Sequence, residues 1–155
     1  MLVYYLGAAL LAAVVFAATF RRITIFEYER GVRYRRGRAA GILGPGVHWI
    51  LPSVSVIVRV DVRPAFLAVP GQEVLTADGI GLKITIVAKY QVTDPERAVN
   101  AVAGYRDALY TQLQLALREI VGAAPVDAVL ASRLEVGKQL LAIVAPRAAE
   151  YGLSV

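Results

Sequence analysis

Few side chains in this chain could do covalent or metal chemistry. There is one histidine and no cysteine. His48 sits in Pro45-Gly46-Val47-His48-Trp49-Ile50. Without a thiolate or a second imidazole, a metal site would need carboxylates at ligand spacing, and none is present. A half-buried structural histidine is the expectation. The serines Ser53, Ser55, Ser132 and Ser154 lack a strand-to-helix nucleophile elbow, and the GILGPG passage has no Lys-Ser/Thr pair to cradle a phosphate. Two carboxylate pairs remain. Asp94/Glu96 reads as a helix start, and Glu27/Glu29 stands among arginines that would pair with it. No acyl-transfer, nucleotide-hydrolysis or metal site can be assembled, so the chain is expected to be non-enzymatic, with no cofactor and no metal.

With chemistry set aside, patterning carries the information. Residues 1–20 hold no charged side chain, and Arg21 and Arg22 follow at once. A helix of about 20 apolar residues rises roughly 30 Å, the thickness of the hydrocarbon core, and satisfies its own backbone there. Leu6, Leu10, Leu11, Val14, Val15 and Phe16 are its expected lipid-facing residues. A secretory signal would open with Lys or Arg, which this segment does not, although Ala17-Ala18 resembles a cleavage site and an exported domain with 1–20 removed is the alternative. Lys and Arg gather on cytoplasmic flanks, so a single-pass helix with its N-terminus outside and the remaining chain in the cytoplasm, at the cell membrane, is expected.

The 135 residues after this segment suffice for one domain. The absence of cysteine excludes a disulfide scaffold. Charge is unevenly spread within the net +5: residues 21–63 carry nine basic and three acidic side chains, and residues 64–155 carry eight and nine. Each Lys or Arg near an anionic leaflet contributes about 1 kcal/mol, within a Debye length of roughly 8–10 Å. Arg21, Arg22, Arg33, Arg35, Arg36 and Arg38 are therefore the expected contacts to anionic inner-leaflet head groups. No nucleic-acid-binding motif or stacking constellation accompanies them, and no nucleic acid is expected as a partner.

The elements follow from periodicity. ITIFEYERGVRYRRGR predicts a hairpin turning at Glu29-Arg30-Gly31, and the Gly/Pro-rich AAGILGPGVHWILPSV a packed loop. In VIVRVDVRP, Val56, Val58, Val60 and Val62 alternate with Ile57, Arg59, Asp61 and Arg63, as in a half-buried strand. A further strand is expected to break at Pro70-Gly71 and to turn at Asp78-Gly79. LKITIVAKYQV puts Leu82, Ile84, Ile86, Ala88, Tyr90 and Val92 on one face. Asp94 then caps a helix with Pro95 at its first position. In YRDALYTQLQLALREIVG, Leu109, Leu113, Ala116, Leu117 and Ile120 recur at helical spacing, with Gly122 as a stop. Another helix runs from about Val126 or Ser132 toward Tyr151, kinked or interrupted at Pro146, and the final LSV opens a strand. A chain ending there is expected to have been cut. The class is α+β, with helices covering one face of a mainly antiparallel sheet.

In this order, FEYERGVRYRRGR, GPGVHWILP, VDVRP, QEVLTADG, TDPERAV and YRDALYTQLQLALREIVG resemble the stomatin/prohibitin (SPFH, band 7) family, nearest to prokaryotic stomatins. The resemblance implies a transmembrane anchor over 1–20 and an SPFH/band 7 domain over 21–155. It further implies a non-enzymatic membrane scaffold that forms homo-oligomers and organises membrane microdomains or neighbouring membrane proteins. The alternative is a regulatory partner of a membrane protease. Two departures stand out: the long coiled-coil helix of the family is expected to be missing, since no such heptads occur before Val155, and residues 1–20 contain no proline to bend a hairpin. Leu109, Leu113, Leu117, Leu140 and Leu141 are the candidate self-association residues.

Overall fold

β-Branched and aromatic residues at alternate positions make the first part of the chain a strand region, and the change to helical spacing after Asp94 makes the second part mixed. The computed structural model describes residues 20–155. The chain divides after Asp61 into two units, each described by itself below. The expected anchor, with Leu6, Leu10, Leu11, Val14, Val15 and Phe16, lies outside the described residues except for Phe20. Among the described residues no helix is long and apolar enough to cross a membrane.

The described part of the first unit consists of strands β1 (Arg21–Ile25), β2 (Glu29–Arg35), β3 (Arg38–Leu43), β4 (Gly46–Ile50) and β5 (Ser55–Asp61). β1 pairs antiparallel with β4 as a two-stranded ribbon, and β2 is the centre of an antiparallel sheet ordered β3-β2-β5. This corrects the hairpin expected around Glu29-Arg30-Gly31. The chain turns earlier, where the Glu29 N–H donates to the Phe26 carbonyl at 2.9 Å, and β1 leaves to find β4. Gly31 is inside β2, where a Cβ would lie 2.5 Å from Ile25 Cδ1 and 2.9 Å from Ile57 Cγ2. Its lack of a side chain serves close packing, not a turn. The packed loop expected from residue 39 onward is likewise corrected, for it contains most of β3 and all of β4. The glycines that disguised them absorb the irregularities: Gly41, at φ +103°, lies where the β2–β3 register shifts, and Gly46 opens β4 at φ +133°. β5 forms as expected, yet of its valines Val60 is buried while Val56 and Val58 are exposed.

The second unit holds β6 (Ala65–Leu75), β7 (Gly81–Val92), helices α1 (Pro95–Asn100), α2 (Tyr105–Gly122), α3 (Val126–Ala131) and α4 (Arg133–Glu150), and β8 (Leu153–Ser154). The sheet order is β6-β7-β8, antiparallel throughout. β7 alternates along its whole length, with Ala88, Tyr90 and Val92 buried and Lys83, Thr85, Lys89 and Gln91 exposed. Pro70-Gly71 does not break β6; it makes a bulge, the register shifting between Val69 and Gln72. Asp94 caps α1, accepting from the Glu96 and Arg97 N–H groups at 3.1 Å, with Pro95 in the first turn. α2 packs on β6 and α4. Its Gln114 donates to Gln72 beside the bulge at 2.8 Å, and Gln112 accepts from Arg147 of α4 at 3.1 Å. α4 continues through Pro146 to Glu150. Pro146 and Ala142 are both exposed, so the carbonyl that proline leaves unpaired can turn to water. β8 joins β7 through Ser154 opposite Gln91 and Leu153 opposite Val92.

Candidate functional surface

Directly opposed residues of an antiparallel pair share a face, which sorts the β1–β4 ribbon cleanly. Ile23 with His48 and Ile25 with Gly46 form the inner face, closed by the buried Ile25 and Ile50. Arg22 with Trp49 and Thr24 with Val47 form the other face, and all four are exposed. Trp49 is 61% accessible and Val47 54%. A tryptophan on a paired strand, turned out beside a valine and an arginine, presents an amphipathic ring and a cation side by side on an exposed face. The sheet adds Ile42 and Val56 as exposed apolar side chains. At the β1–β2 turn, Phe26 and Tyr28 stack with ring centroids 5.5 Å apart, both exposed. Arg30 fastens that turn by donating to the carbonyls of Glu27 at 2.9 Å and Glu29 at 2.8 Å.

The basic residues expected to meet head groups mostly face outward. Arg21, Arg22, Arg35, Arg36 and Arg38 are exposed, and Arg33 is half-buried. Arg35, Arg36 and Arg38 crowd the β2–β3 connection. Glu29 pairs with Arg59 at 3.9 Å, and Asp94 with Arg97 at 3.3 Å. Both carboxylate pairs of the sequence thus have a member in a structural contact. His48 is half-buried, and its Nε2 donates to the Gly44 carbonyl at 2.9 Å, bracing the Gly44-Pro45-Gly46 corner. Among the described residues no three His, Cys, Asp or Glu side chains gather as metal ligands.

The self-association residues need correction. Leu109, Leu113 and Leu117 are fully buried on α2, and Leu140 is 9% accessible on α4. They form the core between the helices and the sheet, and only Leu141, 45% accessible, is at the surface. Trp49, Val47, Phe26 and Tyr28 were not among the residues singled out from sequence. The alternation Val47-His48-Trp49-Ile50 carries the signal, but only once residues 46–50 are recognised as a strand.

Residues 23–155 match the family model described as SPFH domain / Band 7 family, across both units. A protein of Archaeoglobus fulgidus is 38% identical over 152 residues, covering 98% of this chain and 60% of its own. A stomatin homolog of Pyrococcus horikoshii is 36% identical over 146 residues, covering 94% of this chain and 54% of its own. Human stomatin-like protein 3 is 32% identical over 133 residues, covering 84% and 46%. The chain thus spans about half the length of the curated relatives it matches.

Proposed function

Because the chain belongs to the SPFH/band 7 family, with stomatins among its relatives, we propose that it is a non-enzymatic membrane-associated scaffold whose first unit lies against the lipid surface. The observation that carries this reading is the uncovered face of the β1–β4 ribbon, with Trp49 and Val47 beside Arg22. An exposed aromatic and aliphatic strip is costly against water and stable at a head-group boundary. In this reading residues 1–20 cross the bilayer once, with the N-terminus outside, and Arg21, Arg22, Arg35, Arg36 and Arg38 draw the first unit to anionic lipid. Copies associate laterally at the cell membrane and so gather neighbouring membrane proteins into microdomains. Of the nominated leucines, Leu141 is the one at the surface and available for such contact.

Leu10→Arg combined with Val14→Arg tests the tether. Each arginine at mid-bilayer costs roughly 2.5–3.5 kcal/mol on insertion scales, enough to move the chain out of the membrane fraction. Sedimentation of the double variant with membranes, undiminished, contradicts the anchor. Cross-linking in native membranes tests the scaffold: self-adducts support it, whereas a single foreign protein at constant ratio, such as a membrane protease, identifies a regulatory partner instead.

A further inference from the structure

The tip of the β2–β3 hairpin is built against its own stability. The ladder ends with Arg35 directly opposite Arg38, a like-charged cross-strand pair. The two residues between them, Arg36 at φ +51° and Gly37 at φ +78°, form a connection that favours Asn-Gly. Arg36 is the single non-glycine residue with positive φ among those described. Its N–H donates to the Val54 carbonyl at 2.9 Å, which fixes the tip against the segment before β5. Two residues before Arg35, on the same face of β2, Arg33 keeps its Nε buried with no hydrogen-bond partner among the described residues. None of Arg33, Arg35, Arg36 and Arg38 has a carboxylate at ion-pair distance among those residues, although Arg59 on the neighbouring strand reaches Glu29. Four cations within six positions, one on strained backbone and none with a carboxylate at ion-pair distance among the described residues, concentrate positive charge that an anion from outside the described chain would offset.

We propose that this tip binds a phosphate monoester between the guanidinium groups of Arg35 and Arg38, an inference that rests on the first unit lying at the membrane surface. Opposed Cα atoms of an antiparallel pair stand about 4.5–5.5 Å apart, so two planar forks rise side by side from one face. A monoester offers three free oxygens and a charge near −2, enough to take a bidentate contact from each fork. A diester head group offers two free oxygens and a single charge, and satisfies one. The tip therefore distinguishes monoesters, such as phosphatidic acid or a soluble phosphate ester, from anionic lipid in general. Lysine would supply the charge without the fork.

The full chain in neutral maltoside micelles containing equal amounts of phosphatidic acid and phosphatidylglycerol tests this by native mass spectrometry of the retained lipid. Wild type is expected to retain phosphatidic acid about tenfold over phosphatidylglycerol, the ratio one additional charge-assisted contact supports. The preference should vanish in Arg35→Ala/Arg38→Ala and fall to about twofold or less in Arg35→Lys/Arg38→Lys, with circular dichroism unchanged. Displacement of the lipid by millimolar glycerol 3-phosphate supports the site with a soluble ligand, and persistence of the lipid supports it with a membrane one. Equal retention of both lipids by wild type, or a preference that survives both double variants, overturns the monoester site. If both lipids are retained equally and both are lost in the alanine variant, the leaflet contact stands without the monoester specificity. If neither is retained above phosphatidylcholine, both fall.

Discussion

The two units bury apolar side chains with different layers, and both keep some large ones exposed, Phe66, Leu75 and Leu134 in the second as well as Trp49 and Val47 in the first. In the second, α2 and α4 are laid over the sheet, and Leu109, Leu113, Leu117, Val121 and Val144 vanish from the surface. In the first, the described residues form strands alone, and Trp49, Val47, Val56, Ile42 and Phe26 stay outside beside arginines. A helical layer gives the second unit its fully buried leucines, whereas in the first the exposed Trp49 and Val47 lie together on one face of a two-stranded ribbon. Residues 62–155 thus hold the helix-covered core, and residues 20–61 hold the ribbon face proposed above as the lipid contact.

Substitutions can break that comparison. The largest effect is expected from Leu113→Ala, which empties a fully buried site under α2 and should cost about 2–5 kcal/mol in denaturant unfolding followed by circular dichroism. Trp49→Ala should stay within about 0.5 kcal/mol in the same assay, since its ring is largely in solvent, while weakening association with lipid. Equal losses would erase the distinction. Gly152→Ala comes next, at about 1–3 kcal/mol. Gly152 sits at φ +69°, and a Cβ there would lie 2.5 Å from the Asp94 carbonyl oxygen, where the entry to β8 meets the start of α1. Arg36→Gly should do the reverse in the first unit and stabilise it by less than about 1 kcal/mol, seen as a small rise in melting temperature.

The smallest effect is a pH dependence in the second unit. The Thr76 hydroxyl donates to Asp78, the Val126 N–H at the start of α3 donates at 3.2 Å, and together they hold the carboxyl below its ordinary value. A carboxylate lowered in the folded state contributes stability that is fully present above its unfolded value, near pH 4, and is lost as the pH falls through the lower folded value. Asp78→Asn should flatten the acid limb of the stability profile, lowering stability slightly at neutral pH and changing little at acid pH, where the wild-type carboxyl is already protonated. An unaltered acid limb would remove Asp78 from the account.

Legibility in the sequence differed between the units for a physical reason. β7, the capped start of α1, and α2 are written in local periodicity and cap chemistry, and each forms over the residues expected. The pairing of β1 with β4 is not local; residue 21 meets residue 50, and nothing near Arg21 announces that partner. Gly41, Gly44 and Gly46 read as loop because glycine marks both turns and irregular strands, and here Gly41 lies inside β3, Gly44 between the strands and Gly46 at the start of β4. The leucine stripe of α2 was legible as a buried face, but sequence does not say whether a helix buries that face in its own domain or against another copy. Gly31 misled similarly, being a packing glycine in a strand centre. The exposed strip of Trp49 and Val47 was hidden because its strand was hidden.

The chain contains a single tryptophan, so its fluorescence reports on the ribbon face alone. The most direct test of a lipid-facing first unit is the quenching of Trp49 in full chain reconstituted into vesicles carrying brominated acyl chains. The account predicts strong quenching by the brominated lipid, a blue-shifted emission and protection from aqueous acrylamide. Emission typical of water, quenched freely by acrylamide and indifferent to bromine, would contradict it.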